Sequence, residues 1–263
     1  MVGVRFVKCD DLETLSNIIK FNNSQNRIEA ADFRSSDPVQ ERLRMEFREI
    51  PGVRYLGGRR GGADDIIRRP GDLLPSTVAA QALTAFHQHP VIAYNEKSEI
   101  WESDTYYARI FNEQTTARHV LFCYSLLKAI ESRRQELREK DLLGKLRENE
   151  VAQLDFLRGR GAVFLFVSAV AKALETLANR RIDNPFLVSF DRDKNESAAE
   201  RLWSPVIGRL LPLHGPLGAA IKDGLKNAEL VRKGVIDFIG LVEATTASNE
   251  VIYRTFVASL SFS

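Results

Sequence analysis

Apolar residues recur along this chain mostly three and four positions apart, a spacing that predicts helices over most of its length. Residues 10–21 place Leu12, Leu15 and Ile19 on one helical face, behind Asp10 or Asp11 as the cap. A second helix opens at Asp37–Pro38–Val39–Gln40. Asp37 is a natural N-cap, Pro38 suits the first helical position, and Gln40 is placed to complete a capping box. Val39, Leu43, Phe47 and Ile50 supply its apolar face. Alternation with a period of two is confined to residues 3–8, GVRFVK, and the short run Val53 to Leu56. A polar stretch, RRPGDLLPST, then reads as a link to a helix from about Thr77 to Phe86.

Beyond Pro90 the pattern is almost wholly helical. Residues 102–112 read as an amphipathic helix, and a long one runs from about Thr116 to Lys140 with a charged end expected to project into solvent. Residues 148–180 form one or two helices, broken or bent near Arg158–Gly159–Arg160–Gly161. The run Gly161 to Ala171 is strongly apolar but shorter than the ~20 residues a bilayer requires, so it reads as a buried helix. After an irregular stretch, DNPFLVSFDRDKNES, shorter helices are expected around 197–211, 216–227, 228–247 and 249–260. The fold class is thus an α/β N-terminal part of short strands with helices, residues 1–75, followed by a mainly α-helical part, residues 76–263, helix-dominated overall.

Composition narrows this picture only a little. At 263 residues, with 44% hydrophobic and 27% charged residues, the chain has the make-up of an ordinary globular protein able to bury a sizeable core. A net charge of +2 is no nucleic-acid footprint by itself. The bases are mostly arginine, 26 against 11 lysines, which favours either internal ion pairs or phosphate partners. Two cysteines, Cys9 and Cys123, make no disulfide framework, and the N-terminus has no apolar leader. Both features lead to the expectation of a cytoplasmic protein without a membrane segment.

Familiar catalytic signatures fail one by one. A restriction-type nuclease needs an acid two residues before a lysine, and none of the 11 lysines has one. Gly144–Lys145–Leu146 lacks the hydroxyl residue of a phosphate-binding loop, and Gly159-x-Gly161 lacks the third glycine of a dinucleotide fingerprint. Asp191-x-Asp193-x-Asn195 is spaced like a calcium loop, but Glu196 replaces the glycine and Leu202 the closing glutamate. His87-x-His89 has no Cys, Asp or Glu close in sequence to complete a metal site. His119 and His214 read as structural, and Cys123 has no visible activating base. No cofactor or metal is expected, with magnesium entering only if the chain were a nuclease.

The unusual stretch is Asn22 to Ser36, dense in side-chain amides. Such groups either hold a loop against the core or read the polar edges of a ligand. Asn23, Gln25, Asn26, Arg27 and Arg34 are the candidate contacts, and Arg59 and Arg60 in the GGRRGG run, Gly57 to Gly62, could join them on one basic face. The plainer reading of that run is a surface loop, since it matches no known phosphate fingerprint.

The order of a short strand, a helix, N-x-x-QN and then D-[FL]-R-S-x-D-P-x-Q resembles the abortive-infection phage-resistance (AIPR) family. Here it reads Asn23, Gln25, Asn26, Asp32, Phe33, Arg34, Ser35, Asp37, Pro38 and Gln40. Tyr55, Arg59, Arg60 and Gly61 continue it, followed by Gln81, Ala82, Leu83, Ala85 and Phe86, then Pro90, Ala93, Ile100–Trp101–Glu102, Tyr106, Tyr107, Ile110 and Phe111. The likeness is good over about 15–112 and is mainly helical patterning after that. It implies an anti-phage defence protein that contributes nucleic-acid or partner recognition. A metal-dependent nuclease, or a structural remnant docking on an upstream polypeptide, are the alternatives. Members of the family are typically longer, with a nuclease-like part and a D-G-x-Q-R type motif ahead of a strand like 3–8. The resemblance therefore leads one to expect this chain to correspond to a C-terminal portion.

Overall fold

The computed structural model describes residues 11, 14, 30–57, 73–191, 199–246 and 250–262. Thirteen α-helices and four very short strands are present among them, a helix-dominated fold as the periodicity predicts. The predicted strand at 3–8 and most of the first helix lie outside the described residues. At the start of that helix the Asp11 carboxylate accepts the Thr14 backbone N–H at 3.0 Å, the bond an N-cap makes.

Helix α1 (Ala30–Arg34) leads into α2 (Pro38–Arg48). Pro38 begins α2 as expected, Leu43 and Phe47 are buried along its inner face, and Ile50 is buried just past its end. The expected capping box does not form: Asp37 makes no side-chain cap bond, and Gln40 is fully buried. Gly52, at φ 77°, turns the chain into β1 (Arg54–Leu56), which the alternation predicted. Its neighbour β2 (Leu73–Pro75) lies in the stretch read as a plain link and pairs with β1 in parallel, Tyr55 opposite Leu74. A three-residue strand ending in proline is too short to show a period.

The helical part follows directly. It comprises α3 (Ser76–Phe86), α4 (Pro90–Asn95), α5 (Glu99–Glu102), α6 (Asp104–Ile110), the long α7 (Ala117–Leu142), α8 (Glu148–Phe156) and α9 (Arg160–Ala178). The single helix expected at 102–112 is split at Ser103, whose hydroxyl caps α6 by accepting the Tyr106 N–H. The predicted break before Gly161 is real, and Gly159 precedes the first residue of α9. Every side chain from Val163 to Val170 is buried, because α9 is packed by α3, α4, α7, α12 and α13. It is the one helix among the described residues long and apolar enough to cross a membrane, yet it sits in the protein core.

The segment after α9 is not wholly irregular. A 3-10 turn at Pro185–Leu187 runs into β3 (Ser189–Phe190), which pairs antiparallel with β4 (Leu260–Ser261) at the far end of the chain. Between them lie α10 (Ala199–Leu210), α11 (Gly218–Lys222), α12 (Ala228–Thr246) and α13 (Glu250–Val257). α10 packs along α7 and carries the wholly buried Trp203, whose indole N–H donates to the Ser125 hydroxyl at 3.1 Å. One contiguous set of buried apolar side chains runs from Ala31 to Phe256, so residues on both sides of position 75 share a core.

The charged end of α7 does not project freely. Leu137 is buried, and Arg133 and Lys140 converge on the Glu150 carboxylate of α8 at 3.1 and 2.8 Å. The same carboxylate accepts the Arg147 backbone N–H at 3.1 Å. The Lys140 bond foremost, then the Arg147 N–H and Arg133, pull its pKa down to about 2.

Candidate functional site

Of the seven candidate contacts, only Arg34 lies among the described residues; Asn23, Gln25, Asn26, Arg27, Arg59 and Arg60 fall outside them. Arg34 ends α1 and is occupied within the protein. Its Nε donates to the Trp101 carbonyl at 3.2 Å, its Nη2 pairs with the Asp104 carboxylate, and its guanidinium lies 4.5 Å over the Tyr107 ring. Burial works against the charge, but the hydrogen bond and attraction of Asp104 outweigh it and raise the pKa. The planar fork thus fastens α1 onto α5 and α6.

Beside it stands the fully buried Gln40. Its amide nitrogen donates to the Tyr107 hydroxyl at 3.2 Å, while its amide oxygen accepts from the Tyr55 hydroxyl at 2.7 Å. Burial raises the pKa of both phenols, so both are neutral. Phe47 stacks on Tyr55 with centroids 5.1 Å apart. Arg42 donates to the carbonyls of Asn112, Glu113 and Thr115, and Glu46 accepts the Ala117 N–H at 2.7 Å. The residues that carried the sequence resemblance, Arg34, Gln40, Tyr55, Trp101 and Tyr107, therefore meet in one polar lattice holding the first two helices on the rest.

An open cleft of about 500 Å³ lies beside this lattice, where α1, α3, α5 and the start of α9 approach one another. Ala30, the residue at which the amide-rich stretch ends, forms part of its wall. Thr77, Gln81, Trp101 and Glu102 line it together with two cations, Lys97 and Arg160. Gln81 is held by donating to the Ala93 carbonyl at 2.8 Å. The Arg160 guanidinium lies 5.7 Å over the Phe164 ring. Neither cation makes an ion pair among the described residues, and both are exposed. The cleft thus offers two exposed positive groups in no ion pair among the described residues, one carboxylate and amide and hydroxyl groups. That set suits a ligand carrying phosphate and polar edges. Sequence reading missed Lys97 and Arg160 because they stand 63 positions apart and neither belongs to a motif.

A second polar group is internal. His119 is fully buried; its Nδ1 lies 2.8 Å from the Val188 carbonyl, and its Nε2 lies 3.0 Å from His87 Nε2 and 3.4 Å from Cys123 Sγ. A carbonyl only accepts, so Nδ1 carries the His119 proton and Nε2 is a lone pair that accepts from His87. Phe186 stacks on His87 at 4.0 Å. Burial lowers the pKa of both imidazoles, His119 to about 4, and raises that of the Cys123 thiol. The group ties α3 and α7 to the 185–190 segment, and the thiol it contains is neutral and inaccessible. His87 therefore pairs with a histidine 32 positions away and not with His89.

No group of three or more His, Cys, Asp or Glu side chains among the described residues is arranged to hold a metal ion. Asp193 and Asn195 of the calcium-like spacing lie outside those residues. A protein-family model described as AIPR protein matches residues 1–202. No curated protein and no solved structure matches the chain.

Proposed function

The chain belongs to the AIPR family, which points to an abortive-infection, anti-phage role, and on that premise we propose that it contributes nucleic-acid recognition in the cytoplasm, without chemistry of its own. The observation that carries this reading is the cleft at the end of the amide-rich stretch, walled by Ala30 and furnished with Lys97 and Arg160, cations in no ion pair among the described residues. Asn23, Gln25, Asn26 and Arg27 precede Ala30 by a few residues in sequence, and Arg59 and Arg60 follow β1 by a few. Arg34 supports the reading indirectly, by holding α1 in place.

Phosphate contacts release counterions, so binding should weaken steeply with salt, by a log–log slope of about 0.7 to 0.9 per contact. The test is the affinity of the full chain for DNA and RNA across a salt series, with Arg27, Arg59 and Arg60 each changed to Gln. Salt-dependent binding that falls in these variants supports the proposal. No binding at low salt refutes it, and cleavage of plasmid or RNA with added magnesium or manganese refutes the absence of chemistry.

A further inference from the structure

Next to the cleft, three elements meet that the sequence keeps far apart. The α4 helix ends with Tyr94 and Asn95, α9 begins with Arg160 and Gly161, and a tight turn at Gly224–Leu225 follows α11. The Asn95 amide donates to the Gly224 and Leu225 carbonyls at 3.1 and 3.3 Å, fixing that turn against α4. Leu225 holds a left-handed φ of 59° there, an unfavourable conformation for a branched side chain, and its own side chain is buried. Gly161 is the reason the tyrosine can lie so close: a Cβ at that position would stand 3.0 Å from the Tyr94 ring and 3.4 Å from Leu225.

The Tyr94 side chain is left available. It is 38% exposed, and among the described residues its ring stacks on no other ring and its hydroxyl makes no hydrogen bond. Lys97 follows Asn95 by two positions, Arg160 precedes Gly161 and Lys226 follows Leu225; all three are exposed and none is in an ion pair among the described residues. The acids around it are of two kinds: Glu96, exposed between Asn95 and Lys97, and Glu99 make no ion pair among the described residues, whereas two others are engaged. Asp155 pairs with Arg158 at 2.6 Å, and Asp223 accepts the Asn227 N–H at 2.8 Å. Glu102 is the one carboxylate among the residues that line the cleft.

We propose that this junction binds single-stranded nucleic acid, with a base stacked on Tyr94 and the flanking phosphates on Lys97, Arg160 and Lys226. The inference rests on the recognition reading above and narrows it to a strand whose base faces are open. An aromatic face set among unpaired cations is the arrangement that holds a single strand without reading its sequence. A duplex keeps its base faces covered and gains only the phosphate contacts.

The test uses the full chain and fluorescently labelled oligo(U), oligo(dT) and a duplex of equal length, with anisotropy read across a salt series. Both single strands should bind more tightly than the duplex. Tyr94→Ala should weaken them by roughly tenfold or more, and Tyr94→Phe should keep the affinity. Arg160→Gln should flatten the single-strand salt slope by about 0.7. Arg160 is exposed, so this variant serves if Tyr94→Ala fails to fold. Preference for the duplex, or affinity indifferent to both Tyr94→Ala and Arg160→Gln, overturns the inference. If those variants bind normally while Arg27→Gln, Arg59→Gln or Arg60→Gln does not, the junction is wrong and the broader recognition reading stands. If the unaltered chain binds no oligonucleotide at low salt, both fall.

Discussion

Acidification should destabilise this protein through His119 well before its carboxylates are protonated. The imidazole is fully buried, its pKa is lowered by that burial to about 4, and the Val188 carbonyl offsets the effect only in part. In the unfolded chain it titrates near 6.5. Between those values the unfolded state holds more protons than the folded one, so stability falls as pH falls. The contribution is complete above pH 6.5 and is lost progressively down to pH 4. A displacement of about 2.5 pH units corresponds to roughly 3 kcal/mol, a large part of a typical folding free energy of 5–15 kcal/mol. His87, whose pKa is lowered by burial and then by His119 and His89, adds in the same direction. The perturbation is His119→Gln, which removes the titration and keeps a donor for the Val188 carbonyl. Urea denaturation of both proteins from pH 7.5 to pH 4 reads the His119 effect together with the part of the His87 shift that His119 causes, while groups away from this pair cancel in the difference. The unaltered protein should be the more stable at pH 7.5, and its advantage should shrink by about 3 kcal/mol by pH 4. A difference that stays constant across that range would refute the buried neutral imidazole and the hydrogen-bond assignment built on it.

Glu150→Gln should cost about 2–3 kcal/mol at pH 7 in urea denaturation, because Arg133 and Lys140 lose a shared, buried counter-charge. The Glu150 pKa is depressed, so the advantage of the unaltered protein should persist down to about pH 4.5 and fade towards pH 2, a window below that of His119. Gln40→Leu should lower stability by about 2–4 kcal/mol, read as a shift in the unfolding midpoint, since the Tyr55 and Tyr107 hydroxyls would be left buried without this partner. Arg34→Lys should cost about 1–2 kcal/mol, because an ammonium cannot reach the Trp101 carbonyl and the Asp104 carboxylate while lying over Tyr107. A thermal melt unchanged by that substitution would remove Arg34 from its fastening role.

Where a helix buries one stripe, the sequence was sufficient. Leu43 and Phe47 lie on the inner face of α2 as their spacing predicts, with Ile50 buried just past its end, and the break before Gly161 follows from glycines on either side of Arg160. The expected cap at Gln40 failed because its amide has better partners, Tyr55 and Tyr107, brought in from 15 and 67 positions away. Side-chain pairing at that range leaves no periodic trace. The same holds for His87 with His119, and for β3 with β4, which are two residues long and 70 positions apart. Tertiary contact determined each of these, and a local pattern cannot report it. The amide-rich stretch stood out by composition, yet the two described cations of the cleft come from a loop and a helix start with no motif to flag them.

The family signature stops at residue 202, one position short of Trp203 and inside α10. That indole stands between the rings of Phe122 and Phe256, at 5.0 and 4.6 Å. A fragment trimmed to the signature would lose Trp203 and Phe256 together, opening a hollow over α7 in the middle of the protein.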